Sequence, residues 1–266
     1  MNIAQKIIEA HKLKFGSLPP LQQCSVSGST FVNADYFDVF PFIDDKSIDA
    51  IICDLPYGTT ACKWDSVLNL TLLWCQYFRV LKNGGNVILF SQQPFTSELI
   101  NSAKDIFRYE VIWEKEKPSN FAFAKHGIMK YHENILIFGE GSGTYNPQMT
   151  IGKPNHSVGR GIRKKNNESG ANTAIVTNKT DGLKHPKSVL KFNREAKPEH
   201  PTQKPVELME YLIKTYTNEN EIVLDNTMGS GTTGLACLKT NRQFIGIEKG
   251  KQYYDVAVRR LSEYCG

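Results

Sequence analysis

Two rhythms of apolar residues alternate along this chain. Ile48 to Cys53 is almost continuously apolar, as a strand buried on both faces requires, and it stops in Asp54-Leu-Pro-Tyr57. Leu68 to Leu81 instead carries apolar residues at 68, 72, 73, 77, 78 and 81, which is helical spacing. Asn83-Gly-Gly85 is the expected cap of that helix, and Val87 to Phe90 the next strand. Pro94 opens another helix, and Tyr109 to Trp113 and Asn134 to Phe138 add strands. Behind Pro205, the residues Val206, Met209, Leu212, Ile213 and Tyr216 share one helical face. Then come a strand over Glu221 to Leu224, a glycine turn, a helix from about Thr232, a strand over Phe244 to Ile247 and a closing helix near Tyr253 to Leu261. Upstream, Thr30 to Asn33 is a short strand leading to Asp35, residues 15–30 are a linker, and residues 1–14 form an amphipathic helix through Ile3, Ile7, Ile8 and Leu13. The alternation predicts an α/β fold: a mainly parallel, Rossmann-like sheet with helices on both faces. Ligands of such sheets bind beyond the carboxyl ends of the strands, so the informative residues stand there.

Between Gly139 and Pro198 the texture shifts to Gly, Asn, Lys, Thr and Ser, too poor in large apolar residues for a core of its own. The chain therefore divides into a helix and linker (1–29), one half of the main domain (30–138), an insertion (139–199) and the second half (200–266). Charge sharpens this division. From Lys153 to Lys204 there are twelve Lys/Arg against four Asp/Glu, a balance of +8, while the whole chain carries only +5. The remainder is thus −3, and positive charge gathered in one region points to a polyanionic partner. The six cysteines, Cys24, Cys53, Cys62, Cys75, Cys237 and Cys265, contain no Cys-x-x-Cys pair, so neither a metal site nor a disulfide framework is expected. No stretch reads as a signal peptide or membrane span, which leaves the cytoplasm of a bacterial or phage-infected cell as the expected compartment.

Two strand ends carry chemistry. In Asp225-Asn-Thr-Met-Gly-Ser-Gly-Thr-Thr233, Gly229 and Gly231 let the main chain approach a ligand, and the following helix start offers free N–H groups. A Walker loop is excluded, because no Lys follows the second glycine. Glu248 stands at the tip of the next strand, where an acidic residue commonly grips a ribose. The second site is Asp54-Leu55-Pro56-Tyr57. Its carboxylate and the main-chain carbonyl of Leu55 or Pro56 would accept the two N–H bonds of an exocyclic amine and aim its lone pair at a methyl donor, with Tyr57 stacked on the base.

Together these motifs resemble the DNA amino-methyltransferases, whose signatures are Asp, Asn or Ser before Pro-Pro-Tyr and a Phe-x-Gly-x-Gly cofactor loop. Leu55 replaces the commoner proline, and Thr227-Met-Gly-Ser-Gly231 lacks the phenylalanine. The catalytic motif precedes the cofactor loop, a permuted order that resembles the beta class, in which the target-recognition region occupies the gap. His200-Pro-Thr-Gln-Lys-Pro205 resembles the family segment over the methionine part of the cofactor, and Tyr131-His-Glu-Asn134 its late sheet motif. The resemblance implies S-adenosylmethionine as cofactor, bound through Asp35, Thr202, Gln203, Lys204, Asp225, Thr227, Gly229, Ser230, Gly231, Thr232, Thr233 and Glu248. It implies double-stranded DNA as partner, contacted through Arg160, Arg163, Lys164 and Lys165. Members of the class often pair, which makes a homodimer an expected assembly, although no interface is legible. The motif begins with Asp, as in the family's adenine-N6 enzymes, whereas its cytosine-N4 enzymes usually begin with Ser. RNA or protein amino-methylation on the same fold, a non-catalytic DNA-binding module with a dead cofactor site, and a dehydrogenase using Gly229-Ser-Gly-Thr-Thr-Gly234 are the rival readings. Asp54 and the basic insertion count against the first, intact Asp54, Pro56 and Tyr57 against the second, and Asp54 to Tyr57, the insertion and the match around His200 against the third.

Overall fold

The computed structural model describes residues 23–24, 29–57, 68–118, 121, 124–152, 182–196, 198–199 and 203–265. The helix expected over residues 1–14 lies outside them, as do Gly58, Arg160, Arg163, Lys164, Lys165, His200 and Thr202. In chain order, β1 (Gln23–Cys24), β2 (Ser29–Asn33), a short helix α1 (Tyr36–Val39) and β3 (Ile48–Asp54) come first. Next are α2 (Leu70–Val80), β4 (Leu81–Ser91), α3 (Phe95–Ser102), β5 (Phe107–Glu114) and β6 (His132–Phe138). Short strands β7 (Thr150–Ile151), β8 (Leu183–Lys184) and β9 (Val189–Lys191) lead to α4 (Val206–Tyr216), β10 (Ile222–Asp225), α5 (Thr232–Lys239), β11 (Gln243–Glu248) and α6 (Lys251–Cys265).

Nine strands form one sheet in the order β1-β2-β11-β10-β3-β4-β6-β5-β9. The central five, β2, β11, β10, β3 and β4, are parallel. β6 runs antiparallel to both β4 and β5, and β9 adds parallel to β5. Side-chain alternation splits the core into two layers. Ile51, Leu89 and Leu136 face Leu73, Trp74 and Tyr77 of α2 and Leu99 of α3. Ile52, Ile88 and Phe90 belong instead to the layer of Leu208, Met209 and Leu212 of α4 and Tyr254, Ala257 and Leu261 of α6. Both faces are covered, which is why the central strands are apolar runs rather than alternating ones.

Three local readings change. Helix α2 starts at Leu70, because the Asn69 side chain accepts from Leu72 N at 3.1 Å and caps it there. Asn83-Gly-Gly85 does not end that helix. It lies within β4 as a bulge, since Ile48 pairs with Leu81 but Ala50 with Asn86, and Gly84 takes up the turn at φ 76. Strand β9 was not expected: Val189–Lys191 pairs with Ile112–Glu114, and Trp113 Nε1 donates to Phe192 O at 2.9 Å. Three residues are too few for a period-2 signal. The insertion therefore separates as a unit over Pro147–Lys187, in which β7 and β8 pair antiparallel, while residues 188–199 belong to the unit that holds the sheet. Cys53 and Cys237 are buried thiols and Cys75 an exposed one, whereas Cys265 is disulfide-bonded, contrary to expectation. Among the described residues, no helix is long and apolar enough to cross a membrane.

Strands β10 and β3 are hydrogen-bonded neighbours, with Leu224 opposite Ile51. From β10 the chain winds one way, to β11, and from β3 it winds the other, to β4. The two strands therefore flank the topological switch point, where the crevice of an open α/β sheet opens.

Candidate active site

At the end of β10 the chain must turn sharply from strand to helix, and Asp225 organises the turn. Its Oδ1 accepts from Thr227 N at 3.0 Å and its Oδ2 from the Thr233 hydroxyl at 2.6 Å. Gly229 and Gly231 follow at φ 52 and 76, the left-handed region that favours glycine. A Cβ on Gly231 would lie 2.8 Å from Ala257 Cβ, so this glycine also lets α6 close on the turn. Glu248, at the tip of β11, accepts from Gly229 N at 3.0 Å and from Gly250 N at 2.6 Å. Arg260 of α6 donates to Ser230 O at 2.6 Å and to the Ser230 and Thr232 hydroxyls at 3.1 and 3.3 Å. Ser230 Oγ in turn donates to Gln203 Oε1 at 3.3 Å. Asp35 caps α1 through Phe37 N and pairs with Lys249 at 3.1 Å, close to where Asn33 Nδ2 donates to Glu248 O at 2.8 Å.

The second loop meets the first. Thr227 Oγ1 donates to Asp54 O at 3.0 Å. The Leu55 side chain is buried in the core, so only its backbone faces the crevice. The Tyr57 hydroxyl donates to Asp54 Oδ1 at 2.6 Å, and its ring packs on Phe95 with centroids 5.3 Å apart. On the other carboxylate oxygen, Lys204 Nζ donates to Asp54 Oδ2 at 2.5 Å. The same ammonium lies 3.2 Å from Glu133 Oε2 and 4.9 Å from the centre of the Phe90 ring, while Lys115 pairs with Glu133 Oε1 at 2.9 Å. Lys204 was expected among the cofactor residues; its ammonium sits on the catalytic candidate.

Burial sets the electrostatics of both loops. It pushes the Asp54 carboxyl above the usual carboxylate range, Lys204 pulls it back, and the Glu133 charge adds to the rise. Burial also works against Glu133, but the ammonium groups of Lys204 and Lys115 win and hold it at about 2. For Lys204, desolvation is outweighed by Asp54 and Glu133, and its pKa is raised. Asp225 lacks a cation, so burial lifts it to about 7 despite the hydrogen bonds from Thr233 and Thr227. Sequence reasoning passed over Lys115, Glu133 and Arg260. Glu133 lay inside a quoted motif without a role, whereas one cation past a strand end and one on an amphipathic helix look like ordinary surface charges.

Residues 48–259 match the family model described as DNA methylase, N6_N4_Mtase, so the match spans both loops and the insertion between them. The chain belongs to the N6/N4 DNA methylase family. Among curated relatives of this methylase, the type II methyltransferase M.HpaI of Haemophilus parainfluenzae is 32% identical, over 84% of this chain and 71% of its own length. M.HindIII of Haemophilus influenzae is 28% identical, over 86% of this chain and 94% of its own. Among solved structures, the M1.HpyAVI complex with S-adenosylmethionine is 27% identical, with a TM-score of 0.59 over 86% of this chain and 98% of that one. The PvuII cytosine-N4-specific DNA methyltransferase, 13% identical with a TM-score of 0.60 over 90% of this chain and 92% of its own, shares the fold. The methylase is S-adenosylmethionine-dependent, and its own residues suit that ligand. Among the described residues, Asn226 Nδ2 is buried without a hydrogen-bond partner beside the turn. The carboxylates of Asp225, Glu248 and Asp35 are the acceptors that a ligand with ribose hydroxyls, amines and a cationic sulfur calls for.

Two substitutions test this geometry. Gly231→Ala should cost about 2–4 kcal/mol, from left-handed strain and the clash with Ala257, read as a lower urea midpoint. An unchanged midpoint would show that α6 does not close on the turn. Because burial raises Asp225 from 3.8 to about 7, the folded protein holds a proton that the unfolded chain has released. Stability from this group is complete below the unfolded value and drains away as the pH climbs through about 7. Asp225→Asn cannot ionise, so relative to wild type its stability should improve by up to about 4 kcal/mol between about pH 4 and about pH 8. Urea unfolding of the cofactor-free protein reads this, and a constant difference across that range refutes it.

Proposed function

We propose that this methylase transfers a methyl group to the exocyclic N6 amine of adenine at a specific site in duplex DNA. One observation carries the reading: the motif opens with a carboxylate, Asp54, held at the crevice by the Tyr57 hydroxyl and the Lys204 ammonium. An exocyclic amine is a poor nucleophile because its lone pair is delocalised into the ring. Asp54 and the carbonyl of Leu55 or Pro56 accept its N–H bonds, draw the nitrogen toward tetrahedral geometry and localise that lone pair. Tyr57 and Pro56 stiffen the turn and offer the base a surface. When bound, S-adenosylmethionine supplies an electrophilic methyl on a cationic sulfur. Glu248 serves the ribose hydroxyls, Asp35 the adenine ring, and Asp225, Gln203, Lys204 and the turn from Thr227 to Thr233 the remainder, with Thr202 joining from outside the described residues. No cysteine nucleophile is needed, and the buried Cys53 thiol, pushed further up by burial, is unsuited to be one.

A duplex hides the target amine, so the base must leave the stack, at a cost of a few kcal/mol. Phosphate contacts help to offset that cost. Arg160, Arg163, Lys164 and Lys165, outside the described residues, are proposed to make them, as part of a target-recognition unit. The connection from β5 to β6 lies at the same end of the sheet as Asp54 and carries Lys117 and Lys125 with exposed Phe121 and Ile128. Cytosine-N4 methylation is the alternative, since the PvuII enzyme has the same fold. Asp54 in place of the Ser usual in that group favours adenine.

Duplex DNA methylated by the protein should yield N6-methyladenine when digested to nucleosides and analysed by mass spectrometry; N4-methylcytosine would overturn the choice of base. Asp54→Ala should lower the rate of methyl transfer by about a thousandfold or more and leave cofactor affinity by calorimetry close to wild type. Loss of cofactor affinity instead would reassign Asp54. Replacing Lys164 and Lys165 with Ala should weaken DNA binding and lower the slope of log affinity against log salt by up to about 2. An unchanged slope would remove the basic insertion from the DNA interface.

A further inference from the structure

We propose that Lys204 is a positioning residue for methyl transfer: held between Asp54 and Glu133, its ammonium keeps the Asp54 carboxylate charged and aimed as an acceptor for the amine of the flipped base. The inference rests on the reading of Asp54 given above, and it holds for either base, because N6 of adenine and N4 of cytosine are both exocyclic amines.

To accept an N–H bond of the amine while Tyr57 and Lys204 occupy it, the carboxyl of Asp54 must be ionised, since a protonated carboxyl is itself a donor and offers one acceptor fewer. At the switch point, burial works against that charge, and so does Glu133. Two contacts oppose them, Lys204 Nζ to Asp54 Oδ2 at 2.5 Å and the Tyr57 hydroxyl to Asp54 Oδ1 at 2.6 Å, and of the two Lys204 brings a charge and has the larger effect. Lys204 reaches there from the segment just before α4, 150 residues away in sequence, and it is itself 8% exposed. Such an ammonium has a desolvation cost of its own, which Glu133 offsets at 3.2 Å and the Phe90 ring at 4.9 Å. Lys115 then pairs with the second oxygen of Glu133 at 2.9 Å. Among the described residues, the groups facing Lys204 are Asp54 from β3, Phe90 from β4 and Glu133 from β6. Lys115 at the end of β5 and Lys130 before β6 act on it through Glu133. The result is an alternating row, Asp54, Lys204, Glu133, Lys115, with the substrate-facing carboxylate at its open end. Tyr57 fixes the other oxygen at 2.6 Å, so the orientation of the carboxylate is determined from both sides.

The row gives opposite consequences for its two middle members, which a merely structural ion pair would not. In Lys204→Met, Asp54 keeps its burial and its repulsion from Glu133 but loses its cation. The single-turnover rate of methyl transfer to duplex DNA at neutral pH should fall by roughly a hundredfold, the acid limb of its pH profile should move up by about one unit or more, and activity should partly return near pH 9. Lys204→Arg should restore most of the neutral-pH rate. In Glu133→Gln, the repulsion is gone and Lys204 serves Asp54 alone, so the acid limb should move down instead. The double variant Lys204→Met with Glu133→Gln should bring the limb back toward the wild-type position. Should Lys204→Met fail to fold, the sign of the Glu133→Gln shift still decides. A loss of rate parallel to wild type at every pH would overturn the proposal, as would a Glu133→Gln limb that stays put or rises. Loss of cofactor affinity without a pH shift would return Lys204 to the cofactor. Wild type and Asp54→Ala run alongside keep the two readings apart. An active Asp54→Ala defeats the role of Asp54 itself, whereas an inactive one beside unshifted limbs defeats only the role of Lys204.

Discussion

Two carboxylates at the ends of neighbouring parallel strands, Asp225 buried and Asp54 half-buried, are the constraint from which the rest of this molecule follows. Asp54 and Asp225 end up adjacent because β3 and β10 pair in register and the chain winds away from them in opposite directions. Each has to be satisfied away from bulk water, and the protein does so in two different ways. Asp225 is given neutral donors, the Thr233 hydroxyl and the Thr227 amide, and its proton affinity rises to about 7. Asp54 is given a cation and stays partly exposed. The local structure follows that division: the neutral solution ties the glycine turn shut, while the ionic one recruits a lysine from a remote segment and then further charges to balance it.

This division explains what could be read in the chain and what could not. The parallel sheet was legible because burial on both faces leaves continuous apolar runs in β3 and β4. Helices α2 and α4 were legible from their apolar stripes, and the permuted order of the two loops was visible as soon as both motifs were. Those are local signals, carried by residues close in sequence. Strand β9 has three residues and no pattern, and the bulge at Asn83-Gly-Gly85 mimics a helix cap because the same glycines serve both purposes. Neither could be decided without the neighbouring strand. The row of charges from Asp54 to Lys115 is assembled from four separate segments, and no spacing along the chain announces it. Lys204 shows this well: its motif marked it as important, yet only the folded sheet reveals which carboxylate it serves.

Arg260 makes the same point from the opposite side of the crevice. On a helix whose outward face is rich in charge, it looks like solvent-facing decoration. In the folded protein it holds the Ser230 carbonyl and two hydroxyls of the turn, so α6 reaches into the glycine turn as well as packing behind it. Gly231 is the counterpart of that contact: the absent side chain lets Ala257 approach. The turn is therefore shaped by the helix behind it as much as by its own glycines.

The unit over residues 147–187 begins and ends at anchored points of the main unit. Asn146 is tied down through its amide to Thr215 O and through its side chain to Thr217 O, and the Ser188 carbonyl accepts from Ile112 N beside β9. A segment clamped at both ends can be lengthened, shortened or exchanged with little effect on the sheet, because closing a longer loop adds entropy cost only logarithmically. Changes of length in this stretch are therefore tolerable without disturbing the strands that carry Asp54 and Asp225.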